Sequence, residues 1–156
     1  MAEKKRKPPE GKEPARNNPE ERIVLTPYYP TKIAAEEFKG RTDLKDVVIP
    51  DGVTSIGDEA FEDCSGLTSI SIPNGVTSIG WWAFKGCTGL TSIVIPDGVT
   101  CIGDWAFKGC SGLTSIVIPD GVTSIGNGAF NYIPHIIYNG PATSDDDWGA
   151  GLWTRS

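Results

Sequence analysis

A repeat of 23 residues constrains this chain more than any other feature. Leu44, Leu67, Leu90 and Leu113 stand 23 residues apart, and whole segments follow them in step. From Leu67 to Gly89 the chain reads LTSISIPNGVTSIGWWAFKGCTG, and from Leu90 to Gly112 it reads LTSIVIPDGVTCIGDWAFKGCSG, identical at 18 of 23 positions. A unit this short cannot close a hydrophobic core alone. It gains one by laying its apolar face on a neighbour, so the pattern demands a stack. The spacing reaches back through Ile56 and Phe61 to Ile33 and Phe38, and forward through Ile125 and Phe130 before fading at Ile136, which occupies the Leu column. About four full units are expected, with degenerate ends acting as caps because each end has one neighbour only.

Each column has a physical reading. Ile70 and Ile72 point to one face of a short strand, with Ser71 turned away between them, and Ile93/Ile95 and Ile116/Ile118 repeat the arrangement. Pro50, Pro73, Pro96 and Pro119 end each strand because proline cannot donate to a continuing ladder. Asp51-Gly52, Asn74-Gly75, Asp97-Gly98 and Asp120-Gly121 then form tight turns. A second short extended piece buries Val53/76/99/122 and Ile56/79/102/125. The segment that follows, such as 58–64, has room for one or two helical turns and buries the Phe61/84/107/130 and Cys64/87/110 columns. The expected architecture is a β-rich α/β repeat solenoid with short parallel strands and short helical turns.

The pattern L-x-x-I-x-I-P-x-G-V-T-x-I-G-x-x-A-F-x-x-C-x-G, carried by residues 33–140, resembles the BspA-like class of leucine-rich repeats. Ile137-Tyr138-Asn139-Gly140-Pro141 also resembles the way such arrays close. The resemblance implies a right-handed leucine-rich superhelix and a role in protein binding, often as a surface adhesin.

Composition divides the chain into three. Residues 1–30 are expected to be a disordered, basic, Pro-rich arm with the start of a cap, 31–140 the solenoid, and 141–156 a C-terminal cap or tail. Met1 to Arg22 carries seven basic residues against five Glu, while the rest carries seven against fifteen acidic, so a net −6 averages a +2 arm and a −8 body. An arm without large apolar residues between Met1 and Ile23 cannot offset the cost of ordering it. Its charged start runs into Pro, Glu and Lys where a secretory signal needs an apolar core of roughly 7–15 residues. No run of about 18 apolar residues offers a membrane span. These features point to an intracellular protein, with the nucleus possible and the cell surface as the alternative. Lys4, Lys5, Arg6 and Lys7 form a patch suited to a polyanion or to nuclear import.

Material for catalysis is scarce. Cys64, Cys87 and Cys110 fall in one column and stack in parallel about 4.8 Å apart, beyond the usual Cβ separation of a disulfide, and a ladder does not converge on a metal. They are read as small buried apolar side chains. Cys101 replaces the Ser of positions 55, 78 and 124 and is read as a surface thiol, with a redox role as the lesser alternative. His135, the single imidazole, lacks an evident nucleophile, and Asn74 interrupts the Asp51/Asp97/Asp120 column that would otherwise suggest calcium. Neither an enzyme nor a cofactor is expected.

Partner-binding candidates are the residues that break the repeat. Before each Ala-Phe pair the units carry Asp58-Glu59, Trp81-Trp82, Asp104-Trp105 and Asn127-Gly128, in columns expected to be exposed. Trp82 and Trp105 should lie side by side on neighbouring rungs with Trp81 adjoining, and Lys85 and Lys108 should share their surface at helical spacing. Tryptophans clustered in this way suit a protein-interface hot spot, and also suit cation–π pairs with those lysines. A second candidate is the strand face, where Val48, Val94 and Val117 take the outward position filled by Ser71 in the remaining rung. Trp148, Leu152 and Trp153 are expected to fold over the last rung. The reading is a non-enzymatic protein–protein interaction module acting as scaffold, adaptor or accessory subunit. The alternatives are a surface adhesin and an RNA- or anionic-lipid-binding protein acting through the arm.

Overall fold

The computed structural model describes residues 22–24, 31–142 and 152–154. Each repeat lays down two short strands, which stack on their counterparts in other repeats. One stack is a continuous five-stranded parallel sheet of β2 (Lys32–Ile33), β4 (Ser55–Ile56), β6 (Ser78–Ile79), β7 (Cys101–Ile102) and β9 (Ser124–Ile125). Its register advances by 23 at every step, as in Ser55 to Ser78 and Ile79 to Ile102. The other stack holds β1 (Arg22–Val24), β3 (Asp46–Val48) and β5 (Ser69–Ser71) in one parallel sheet, and β8 (Ser115–Ile118), β10 (His135–Tyr138) and β11 (Leu152–Thr154) in a second. The equivalent residues of the intervening repeat, 92–95, run between them without strand pairing.

The ends depart from the period. β1 lies within the 1–30 segment, where the start of a cap is expected, and pairs Ile23 with Val47. At the far end Ile136 pairs with Ile116, an offset of 20, so the final unit is three residues short. This corrects the placement of Ile136 in the Leu column: Ile133, fully buried, fills that position, and Ile136 takes the strand position after it. Tyr138 stands opposite Ile118 and hands its hydroxyl to the carbonyl of Val122.

The segments expected to be helical turns are not helical. In each rung two positions four apart take the left-handed region: Glu59 at φ 58° and Asp63 at 59°, Trp82 at 57° and Gly86 at 76°, Trp105 at 52° and Gly109 at 77°. A helix has no place for such residues. Alternate amides instead donate to the next rung, Glu59 to the Trp81 carbonyl at 2.9 Å, Phe61 to Ala83 at 2.8 Å and Asp63 to Lys85 at 2.7 Å. The amides between them fold back three residues, as Glu62 does to Glu59 at 3.1 Å. Helical turns would spend these groups within a rung; here half of them bind rung to rung and build a third ladder.

Three side-chain columns complete the stack. Phe38, Phe61, Phe84, Phe107 and Phe130 stack face over face, with successive ring centroids 5.1, 5.3, 5.3 and 5.8 Å apart. The thiols of Cys64, Cys87 and Cys110 are buried and free, each donating to a carbonyl of the preceding rung, those of Phe38, Phe61 and Phe84. Burial pushes the Cys64 thiol up to about 11 and the Cys110 thiol up to about 12, and Cys87 rises too. Thr54, Thr77, Thr100 and Thr123 each donate a hydroxyl to the carbonyl 23 residues earlier. Among the described residues no helix is long and apolar enough to cross a membrane.

Candidate interaction surfaces

The tryptophan cluster sits on the turn column. Trp81 and Trp82 contact each other with ring centroids 5.1 Å apart, and Trp82 meets Trp105 at 6.1 Å. The Lys85 ammonium lies 4.2 Å from the Trp82 ring centroid, and that of Lys108 lies 5.7 Å from Trp105. The structure therefore brings all five candidate residues together, although the left-handed backbone, not a helix, sets their spacing. Their exposure is uneven. Trp81 is 41% exposed, whereas Trp82 and Trp105 are half-buried. Trp105 lies against Gly128, where no side chain competes for the space, and the Trp82 indole Nε1 is buried without an acceptor among the described residues.

On the strand face Val94 and Val117 are 78% and 59% exposed on neighbouring rungs, the former in the stretch that lacks strand pairing. Lys4, Lys5, Arg6, Lys7 and Trp148 lie outside the described residues. The backbone of Leu152–Thr154 adds β11 beside β10, placing Trp153 opposite Ile136. Cys101 is an exposed free thiol. Among the described residues no three His, Cys, Asp or Glu side chains converge to hold a metal.

Several features were not foreseen. Glu62 is a carboxylate only 3% exposed, with the Lys39 ammonium at 2.9 Å and the Lys85 ammonium at 2.7 Å. Burial acts to raise its pKa, but the hydrogen bonds from the two lysines prevail and hold it below the ordinary carboxylate range. The signal lay in position: Glu62 and Lys85 are the same column on successive rungs, which the stacking distance alone pairs. Asp58 and Asp104 each use Oδ1 to accept the amide of the residue 23 further on, Trp81 at 3.0 Å and Asn127 at 2.9 Å. Trp81 stands in that column between them and offers no such oxygen. The Asp104 amide accordingly has no acceptor among the described residues.

Parallel rungs at a 23-residue period, with consensus Leu, Ile, Phe and Cys all inward, define a leucine-rich-repeat solenoid. The BspA type leucine rich repeat region matches residues 31–140 in six copies, and the chain belongs to that family. Solved structures agree. A leucine-rich repeat protein of T. pallidum shares 32% identity with a TM-score of 0.71, over 75% of this chain and 58% of its own. One from Bacteroides ovatus shares 33% with a TM-score of 0.69, over 80% and 37%. The pneumococcal vaccine antigen PcpA shares 25% with a TM-score of 0.66, over 79% and 31%. The chain thus spans between about a third and three fifths of the length of these relatives. No curated protein matches it.

Proposed function

We propose that this chain is a non-enzymatic protein-interaction module, serving as a scaffold, adaptor or accessory subunit of a larger assembly. The observation that carries the reading is apolar exposure on a strand face rich in Ser and Thr: Val94 and Val117 stand open on neighbouring rungs. Isolated exposed apolar residues are ordinary, but aligned ones on a rigid ladder form a surface another protein can cover. Trp82, Trp105, Lys85 and Lys108 supply a second wall, rigidly packed, with Trp81 at its open edge. The test is affinity capture with the full chain beside a Val94→Ser/Val117→Ser variant and a Trp82→Ser/Trp105→Ser variant, each checked for fold by circular dichroism. Loss of partners from either folded variant supports the reading, and unchanged partners from both would sink it.

The second reading is a surface adhesin. It is favoured by the likeness to PcpA, a protein described as a vaccine antigen, and by a family whose members are often surface adhesins. Cell fractionation separates the two: a surface pool favours the adhesin, and an intracellular pool favours the adaptor.

A further inference from the structure

Beside the five-stranded sheet runs an open groove of about 750 Å³, whose lining includes Trp81, Asp58, Asp104, Ser78 and Cys101, with Lys32 at its N-terminal end. We infer that this groove takes an extended peptide segment of a partner protein that carries arginine or lysine, its cation resting on the Trp81 indole between the carboxylates of Asp58 and Asp104. The inference deepens the interaction reading above by naming the chemistry of one partner.

Three observations converge. Trp81 is 41% exposed and lines the groove, and indole is the aromatic surface that attracts a cation most strongly. Lys85 and Lys108 already serve Trp82 and Trp105 as ring partners, and neither is placed over Trp81. The carboxylates flank it from the rung before and the rung after. Each is fixed in place through Oδ1 by an amide, at 3.0 Å for Asp58 and 2.9 Å for Asp104, leaving the second oxygen to accept from a guanidinium or ammonium. Finally, the Asp104 amide lacks an acceptor, and the repeat explains why: the preceding rung carries Trp81 where two others carry Asp. A peptide carbonyl fits that amide while the cationic side chain covers the ring. Lys32 opposes the two carboxylates at one end only, so the favoured position for a cation is the Trp81 rung.

Fluorescence anisotropy on the full chain tests this with a labelled Gly-Arg-Ser-Arg-Gly-Arg peptide and its citrulline counterpart, which keeps the shape and removes the charge. Trp81→Asp restores the column residue of neighbouring rungs and adds negative charge while removing the platform. Asp58→Asn/Asp104→Asn keeps the amide-accepting oxygens and removes both charges. The expected result is that each variant weakens arginine-peptide binding roughly tenfold, and that citrulline weakens it at least as much. Binding to Trp81→Asp as tight as to the parent would reduce the site to diffuse charge and overturn the inference. So would equal binding of the citrulline peptide, or displacement of the arginine peptide by maltohexaose at comparable concentration, which would assign the platform to a sugar. None of these outcomes touches partner capture through Val94 and Val117, so the wider interaction reading stands or falls separately.

Discussion

Replacing Phe84 by Ala removes the middle ring of the phenylalanine column, and the structure sets the size of the effect. Phe84 is fully buried and stacks on two rings, Phe61 at 5.3 Å and Phe107 at 5.3 Å. Truncating a buried Phe to Ala costs about 3–5 kcal/mol in lost transfer energy and cavity. Each ring pair adds about 0.5–1.5 kcal/mol beyond burial. The fixed backbone ladder on both sides of the position prevents the neighbouring rungs from collapsing into the gap, so Phe84→Ala falls at the upper end, at about 5 kcal/mol. Phe130 is the control: equally buried, it stacks on one ring among the described residues, Phe107 at 5.8 Å. Phe130→Ala should therefore cost about 1 kcal/mol less. Urea unfolding followed by circular dichroism and tryptophan fluorescence measures both, against a total stability on the order of 5–15 kcal/mol for a domain of this size. A Phe84→Ala cost below about 2 kcal/mol, or an equal cost at Phe130, would refute the argument that stacked rings hold the rungs together.

Thiol titration should find one reactive cysteine in the native chain, Cys101, and all four after denaturation. The buried thiols have folded pKa values above their ordinary 9.0, reaching about 11 at Cys64, so they favour the folded state fully below pH 9.0 and less as pH rises through the folded values. Alkaline unfolding curves should show that loss, and Cys64→Ser/Cys87→Ala/Cys110→Ala should flatten it. Glu62 has the opposite sign. Its lowered pKa adds stability above the ordinary 4.5 that disappears as pH falls through the folded value, so Glu62→Gln should flatten the acid limb. At neutral pH that variant should cost about 1–2 kcal/mol, reduced from the buried-pair range because both lysines reach solvent. Gly103→Ala places a methyl 2.5 Å from the Trp81 backbone nitrogen, and should cost about 1–3 kcal/mol in thermal or chemical unfolding.

Most of the stack was legible because inward columns repeat in register: Leu67, Ile70, Val76, Ile79, Phe84 and Cys87 are all buried where the spacing put them. The failures have local causes. Ala60, Phe61 and Cys64 are spaced to suit a helix as well as a left-handed turn, and Trp82 and Trp105 give no hint of a positive φ that glycine would signal. The three-residue shortening before Ile136 was hidden because Ile133 and Ile136 are the same residue type in two different columns. At the candidate surfaces the sequence brought the tryptophans and lysines together correctly. It did not reveal that Trp81 displaces an aspartate whose carboxylate would have received the next amide, because that bond crosses rungs.

The turn ladder has a direction. Its amides always point to the following rung and its carbonyls to the preceding one, from Glu36 through Trp105. Parallel strands cancel most of their peptide dipoles, but these add, much as they do along a helix axis. The opposite edge runs the other way: Thr77 donates to the Thr54 carbonyl, Gly80 to that of Ile56 and Gly103 to that of Ile79, each to the preceding rung. The two edges therefore carry opposed dipoles, and the stack is polar edge by edge while the contributions offset along its axis. At the last rung the turn edge ends on the amides of Gly128 and Phe130, so a negative group is favoured on that edge. An end-to-end joint that continued both ladders would have to run head to tail and set turn edge on turn edge.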